Sequence, residues 1–171
     1  MGNVIDFKKY SDAWPYFFNK EKDRLVRLLK PFKYSSIEHI GATSAIHCDT
    51  AGTIDGLLSI PNKLDLITFK NYLSANGYET VENRCTADCV LMYRRNSNGG
   101  VVFTLRIVEY ASKTYNVIKA FKYYLKENVT HAYNYNNFRQ EALYHSKCIK
   151  DYNKLKTDYI KSIIAERFEF K

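Results

Sequence analysis

A glycine turn and a single strand acid carry the chemistry this chain could do. The turn is Gly41-Ala42-Thr43, and twelve residues after Thr43 comes Asp55, inside the apolar run Ile54-Asp55-Gly56-Leu57-Leu58-Ser59-Ile60. Glycine allows backbone N–H groups to approach an anion closely, while a carboxylate can hold a divalent cation that bridges to the same phosphates. Strand alternation sets Thr53, Asp55, Leu57 and Ser59 on one face and Ile54, Gly56, Leu58 and Ile60 on the other. The acid therefore shares a face with a hydroxyl. A phosphate-and-metal site is the reading that uses both elements, with Asp55 as the catalytic and metal-binding acid and Gly41, Ala42 and Thr43 around the phosphate.

The elements that must position this pair can be read outward from it. Two apolar runs, 90–95 and 101–108, flank Asn96-Ser97-Asn98-Gly99-Gly100, and an Asn/Gly turn between such runs is a β-hairpin signal. The second arm puts Thr104 and Arg106 on one face. Tyr78-Glu79-Thr80-Val81 reads as a further strand. Upstream, a helix is expected from Ser11 or Asp12, either of which could cap it, to Pro31, with Trp14, Phe17, Phe18, Leu25, Leu28 and Leu29 at helical spacing. After Pro61-Asn62, the residues Leu64, Leu66, Ile67, Phe69, Tyr72 and Leu73 predict a helix closed by Asn76-Gly77. The last third is helical throughout, in stripes led by Tyr115-Phe121-Tyr124, Tyr135-Phe138-Ala142 and Tyr152-Tyr159-Ile163. Strands in the middle with helices at both ends make an α+β domain. At 171 residues one domain spanning 1–171 is the expectation.

Bulk properties narrow the partners. The formal charge of +8 and pI near 9.2 favour anions, nucleotides first. No Lys/Arg block stands out, so RNA recognition through the basic helical third ranks behind a small phosphate-bearing ligand. The first six residues turn polar too early for a signal peptide, and no apolar run reaches the ~18 residues of a membrane span. A cytoplasmic protein with no membrane partner is expected. The four cysteines, Cys48, Cys85, Cys89 and Cys148, lack the spacing of a zinc site and are read as free thiols.

Laid end to end, these pieces resemble the GrpB family, a branch of the nucleotidyltransferase superfamily. Its hallmark runs Glu-His-Ile-Gly-Ser-Thr, a small-residue connector ending in Lys-Pro, then an apolar pair and Asp. Glu38-His39-Ile40-Gly41-Ala42-Thr43 and Ile54-Asp55 follow that pattern. Trp14-Pro15, Phe18, Glu21-Lys22 and Leu25 are similar to the family's opening helix. Phe121-Lys122-Tyr123-Tyr124-Leu125-Lys126, Tyr135 with Phe138-Arg139, and Tyr152 with Lys156-Thr157-Asp158-Tyr159-Ile160 are similar to its later helices. The resemblance covers nearly the whole chain in order. It implies a nucleotidyltransferase-like mixed β-sheet flanked by helices, and a nucleotide or coenzyme-like ligand, since some members are fused to a coenzyme A biosynthetic kinase.

The departures from the pattern fall on the chemistry. Ala42 replaces Ser, Ala51-Gly52 replaces Lys-Pro, and Thr104-Leu105-Arg106 replaces His-Leu-His. Nucleotidyltransferases hold Mg²⁺ with carboxylates at alternate strand positions, and the partner position here is Leu57. Two-metal transfer needs several oxygen ligands per cation, and Asp55, helped by Glu38, provides few. Two readings follow. In one the chain is an Mg-dependent nucleotidyl or phosphoryl transferase, with Arg94, Arg95 or Arg106 offsetting transition-state charge. In the other it is a non-catalytic descendant that binds a nucleotide or another anion, or acts as an interaction module, through the same cleft, with Arg94, Arg95, Thr104 and Arg106 on the ligand. The missing second carboxylate favours the second.

Overall fold

Short polar side chains start the helices. In a computed structural model, which describes residues 6–168, Ser11 Oγ accepts from Ala13 N–H at 3.2 Å and opens α1, Ala13–Leu28. Of the two expected caps, Ser11 makes the bond and Asp12 does not. Asn62 accepts from Leu64 N–H at 2.9 Å and tightens Lys63–Asp65 into a 3-10 turn, so α2 runs from Leu66 to Ser74. The expected helix therefore starts two residues later than Leu64. Leu66, Phe69 and Leu73 face inward, while Leu64 and Ile67 stand exposed. Ser112 caps α3, Lys113–Glu127, and Asn128 both ends α3 and caps α4, Val129–His145. The last helix, α5, is Ile149–Phe168.

The strands are β1 Ser36–Ile40, β2 Ile54–Ile60, β3 Glu79–Thr80, β4 Cys89–Arg95 and β5 Val101–Glu109. They form one sheet in the order β1-β2-β5-β4-β3, with β2 and β5 parallel and the other pairs antiparallel. The expected hairpin is β4–β5. The expected strand at 78–81 shortens to β3 at the sheet edge. The fold is α+β, with three helices in the C-terminal third.

The two sheet faces have different coverings, as the alternation in β2 requires. One face carries Leu58, Phe103, Leu105 and Met92 against Phe18 and Leu25 of α1 and Phe69 and Leu73 of α2. The other carries Ile40, Leu57, Cys89 and Val108 against Tyr115 and Ile118 of α3. A separate core of Phe121, Tyr124, Leu125, Tyr135 and Ile164 binds the three C-terminal helices to each other. This third has its own core and does not have to press onto the sheet along its whole length. A cavity remains between them.

All four cysteines are free. No helix among the described residues is long and apolar enough to cross a membrane. Residues 1–5, on which the expectation about a leader partly rested, lie outside the described residues.

Candidate functional site

The cavity has a volume of about 1170 Å³ and opens over the start of the parallel β2–β5 pair. Asp55 stands directly beside Ile40 on one side and Thr104 on the other in the strand register. Thr104 Oγ1 donates to Asp55 Oδ1. The Gly41 turn follows β1 immediately, and a Cβ built on Gly41 would lie 2.5 Å from Asp55 Oδ2. Gly41 also has φ +71°, a left-handed value that L side chains rarely adopt. Gly41, Ala42, Asp55, Thr104 and Arg106 all line the cavity.

Positive charge surrounds this acid. Arg106, two residues past Thr104, lies between Leu57 and Leu91 in the register. Arg84, on the 3-10 turn before β4, interacts electrostatically with both Asp55 and Arg106. Lys156 comes from α5, where Ile149, Tyr152, Asn153, Lys156, Ile160 and Ile164 make one helical stripe along the cavity wall. Burial of the Lys156 amine lowers its pKa to about 8. Asp55 opposes this, and Arg84, Arg106 and Arg139 add to it. Arg139 of α4 is 4% exposed, and its guanidinium lies 4.4 Å from the centre of the Tyr135 ring. It donates to the Asp49 carbonyl and to Asn136 Oδ1, while its Nε–H has no partner among the described residues.

The structure separates the remaining expected site residues from this cluster. Thr43 is fully buried and its hydroxyl meets His39 Nε2 at 2.9 Å, so it braces the turn from behind instead of facing the cavity. Burial, reinforced by Lys126 and Lys122, lowers the His39 pKa to about 4 and keeps the ring neutral. That neutral ring stacks on Phe18 at 4.6 Å. Glu38, expected to assist Asp55 with a cation, lies opposite Leu57 and is held by Lys119 at 2.5 Å and Lys122 at 2.9 Å. Burial would raise its pKa, but the two ammonium groups outweigh that effect and hold the carboxyl below the usual carboxylate range.

Arg94 and Arg95 also lie elsewhere. Arg94 alternates onto the opposite sheet face and grips Glu21 of α1 through Nε at 2.7 Å and Nη2 at 2.6 Å. Tyr78 Oη donates to the same carboxylate at 2.5 Å. Arg95 extends from the end of β4 to Glu79 Oε1 at 3.1 Å and to the Gly99 carbonyl at 2.7 Å. Both guanidinium groups are committed to structure. Charge alone could not sort them from Arg106, but strand parity excludes Arg94, because Arg106 shares the Asp55 face. Arg84, Arg139 and Lys156 were not singled out from the sequence. For Lys156 a signal existed, its i, i+4 spacing from Tyr152 and Ile160 on one helical stripe.

The donor set does not fit a resident divalent cation. Leu57, at the alternate strand position, is fully buried, and Glu38 is neutralised by two lysines. Among the described residues no three His, Cys, Asp or Glu side chains gather into a group that could hold a metal ion. What the arrangement offers instead is a carboxylate fixed by a hydroxyl and faced by several cations.

Comparison with known proteins agrees with this fold. A family model described as GrpB protein matches residues 4–166. No curated protein sequence matches the chain. Among solved structures, the crystal structure of conserved protein GrpB from Enterococcus faecalis superposes with a TM-score of 0.72 at 22% identity, covering 92% of this chain and 99% of that one. Cid1 in complex with the UTP analogue UMPNPP gives 0.54 at 12% identity, over 86% of this chain and 48% of that one. A mutant of the Cid1 poly(U) polymerase bound to MgATP gives 0.53 at 13%, over 77% and 42%. At these identities the likeness is one of fold.

Proposed function

Because this chain belongs to the GrpB family, whose model spans nearly all of it, we propose that its cavity binds a nucleotide or another phosphate-bearing ligand between the Gly41 turn and Asp55. One observation carries this reading: Arg84 and Lys156, from two separate elements, both bear on the carboxylate of Asp55 and on Arg106, which lines the same cavity. Cations crowded around one acid are mutually repulsive, and an anion entering the cavity relieves that repulsion. Arg106 offers a planar fork suited to two phosphate oxygens, Lys156 a compact point charge. Asp55, fixed by Thr104, offsets part of this charge and leaves the cavity wall an overall positive excess.

Nucleotides come first as the ligand class, since the Cid1 structures sharing the fold hold a UTP analogue and MgATP. A nucleotidyl or phosphoryl transferase would need more oxygen ligands than Asp55 supplies, so binding is favoured over transfer. The test is calorimetry with ATP, GTP and dephospho-coenzyme A. Saturable binding of at least one is expected, with Arg106→Gln weakening it by about tenfold or more. No saturable binding of any of them would contradict the proposal.

A further inference from the structure

Two features of the cavity bear on the form in which a phosphate ligand arrives. The first is how far its acids are already engaged. Asp55 Oδ1 accepts from Thr104 and Oδ2 lies against the Gly41 backbone. The other carboxylate lining the cavity, Asp88, accepts from Thr86 at 2.6 Å and from Thr114 at 2.5 Å. Those hydroxyl bonds hold Asp88 below the usual carboxylate range, with burial acting weakly the other way. Mg²⁺ is ordinarily held by one or two carboxylates together with substrate phosphates and water, and here three of the four carboxylate oxygens of the wall already accept hydroxyl hydrogen bonds, leaving only Asp55 Oδ2 without one among the described residues.

The second feature is the sign of the wall. Six cationic side chains line the cavity, Arg84, Arg106, Lys113, Arg139, Lys156 and Lys161, against the two carboxylates. A nucleoside di- or triphosphate without metal presents several negative charges to such a wall, whereas chelation by Mg²⁺ cancels two of them. A bridging cation would also have to sit among like charges, at a Coulomb cost that grows as water leaves the site.

We propose that the cavity takes its phosphate ligand in the metal-free form, as a di- or triphosphate ester whose charge is met by Arg84, Arg106 and Lys156 in place of a divalent cation. The rest of the ester lies against the apolar part of the wall, where Val117 and Phe121 of α3 face Ile160 and Ile164 of α5. This rests on the reading of the cavity as a phosphate site. It differs from the use of the fold in the MgATP-bound Cid1 mutant, and it explains why the loss of a second acid at Leu57 accompanies an arginine at position 106.

Isothermal titration with ATP and with inorganic triphosphate, each in EDTA and in excess Mg²⁺, tests it. The expected result is a Kd about tenfold lower in EDTA than in Mg²⁺ for both probes, lost in an Arg84→Gln/Arg106→Gln double variant. Tighter ATP supports a place for the base and sugar on the apolar wall; equal affinity of the two probes overturns that part. Binding that is equal or stronger in Mg²⁺ overturns the metal-free proposal and leaves the phosphate site standing, whereas no binding in either buffer overturns both. Should the double variant fail to show native circular dichroism, Lys156→Gln on the α5 face replaces it, with the same loss of EDTA binding expected.

Discussion

Gly41 and Asp55 are in contact: a Cβ on the glycine would come within 2.5 Å of Asp55 Oδ2. The bend that closes β1 and the acid on β2 thus form one wall of one cavity. Gly41→Ala would clash with the carboxylate and force an alanine to φ +71°. We expect a loss of about 1–3 kcal/mol by urea denaturation, together with loss of ligand binding. An unchanged variant would mean that the turn and the acid are not apposed.

Lys156 links binding to pH. Its amine faces Asp55, Arg84, Arg106 and Arg139, with the Tyr152 ring 5.5 Å from Nζ, and it titrates near pH 8. Ligand affinity should fall as pH rises through about 8 to 9 and the ammonium is lost. Lys156→Arg should flatten that profile. Calorimetry across the range reads both.

The same residue should cost stability. A lysine whose folded pKa is depressed from 10.5 to about 8 penalises the folded state below pH 8, and the penalty fades as pH rises toward 10.5. Lys156→Met should therefore stabilise the protein by about 1–2 kcal/mol at neutral pH and by less in alkali. Thermal unfolding at both pH values checks it; a destabilised variant would show that the amine serves the fold rather than a ligand.

His39 predicts the acid limb. Its folded pKa of about 4 lies below the ordinary 6.5, so the unfolded chain binds the extra proton first and stability drops as pH falls from 6.5 toward 4. The loss should reach about 3 kcal/mol. Because His39 Nε2 meets Thr43, amide exchange in the 41–44 turn should quicken over the same interval. His39→Gln, unable to titrate, should remove the dependence.

Arg94 separates structure from binding. Glu21 is 5% exposed and takes two bonds, at 2.7 and 2.6 Å, from this guanidinium beside the one from Tyr78. Arg94→Ala leaves a buried carboxylate without its fork and should cost about 3 kcal/mol, measured in urea. Ligand affinity of the folded variant should not change, since Arg94 points to the face opposite Asp55.

The fold was largely legible because it is written in periodicity. The alternation that placed Asp55 and Leu57 on one face and Gly56 and Leu58 on the other is the alternation in the structure, and the Asn/Gly turn marked the β4–β5 hairpin. The facing of α2 was less legible: Leu66, Phe69 and Leu73 turn inward while the equally apolar Leu64 and Ile67 stand exposed. Gly41, Ala42, Asp55, Thr104 and Arg106, expected from the sequence as one group, do line one cavity, because β2 pairs with β1 on one side and with β5 on the other; Thr43 of the turn faces away. Arg84 and Arg139 were not legible, because long-range packing alone brings α4 and the turn before β4 to that place; for Lys156 the helical stripe was readable, but not what it faces. Glu38, Arg94 and Arg95 were misjudged for the converse reason. Their partners, Lys119 and Lys122, Glu21, and Glu79, lie far along the chain or in an edge strand, and only the fold shows that their charge is already spent.

A crystal structure of the protein grown with ATP in EDTA tests the central claim most directly. The account predicts ordered phosphates beside Arg106 and Lys156, under the Gly41 turn and next to Asp55. A nucleotide bound at another surface, with this cavity unchanged at saturating ATP, would contradict it.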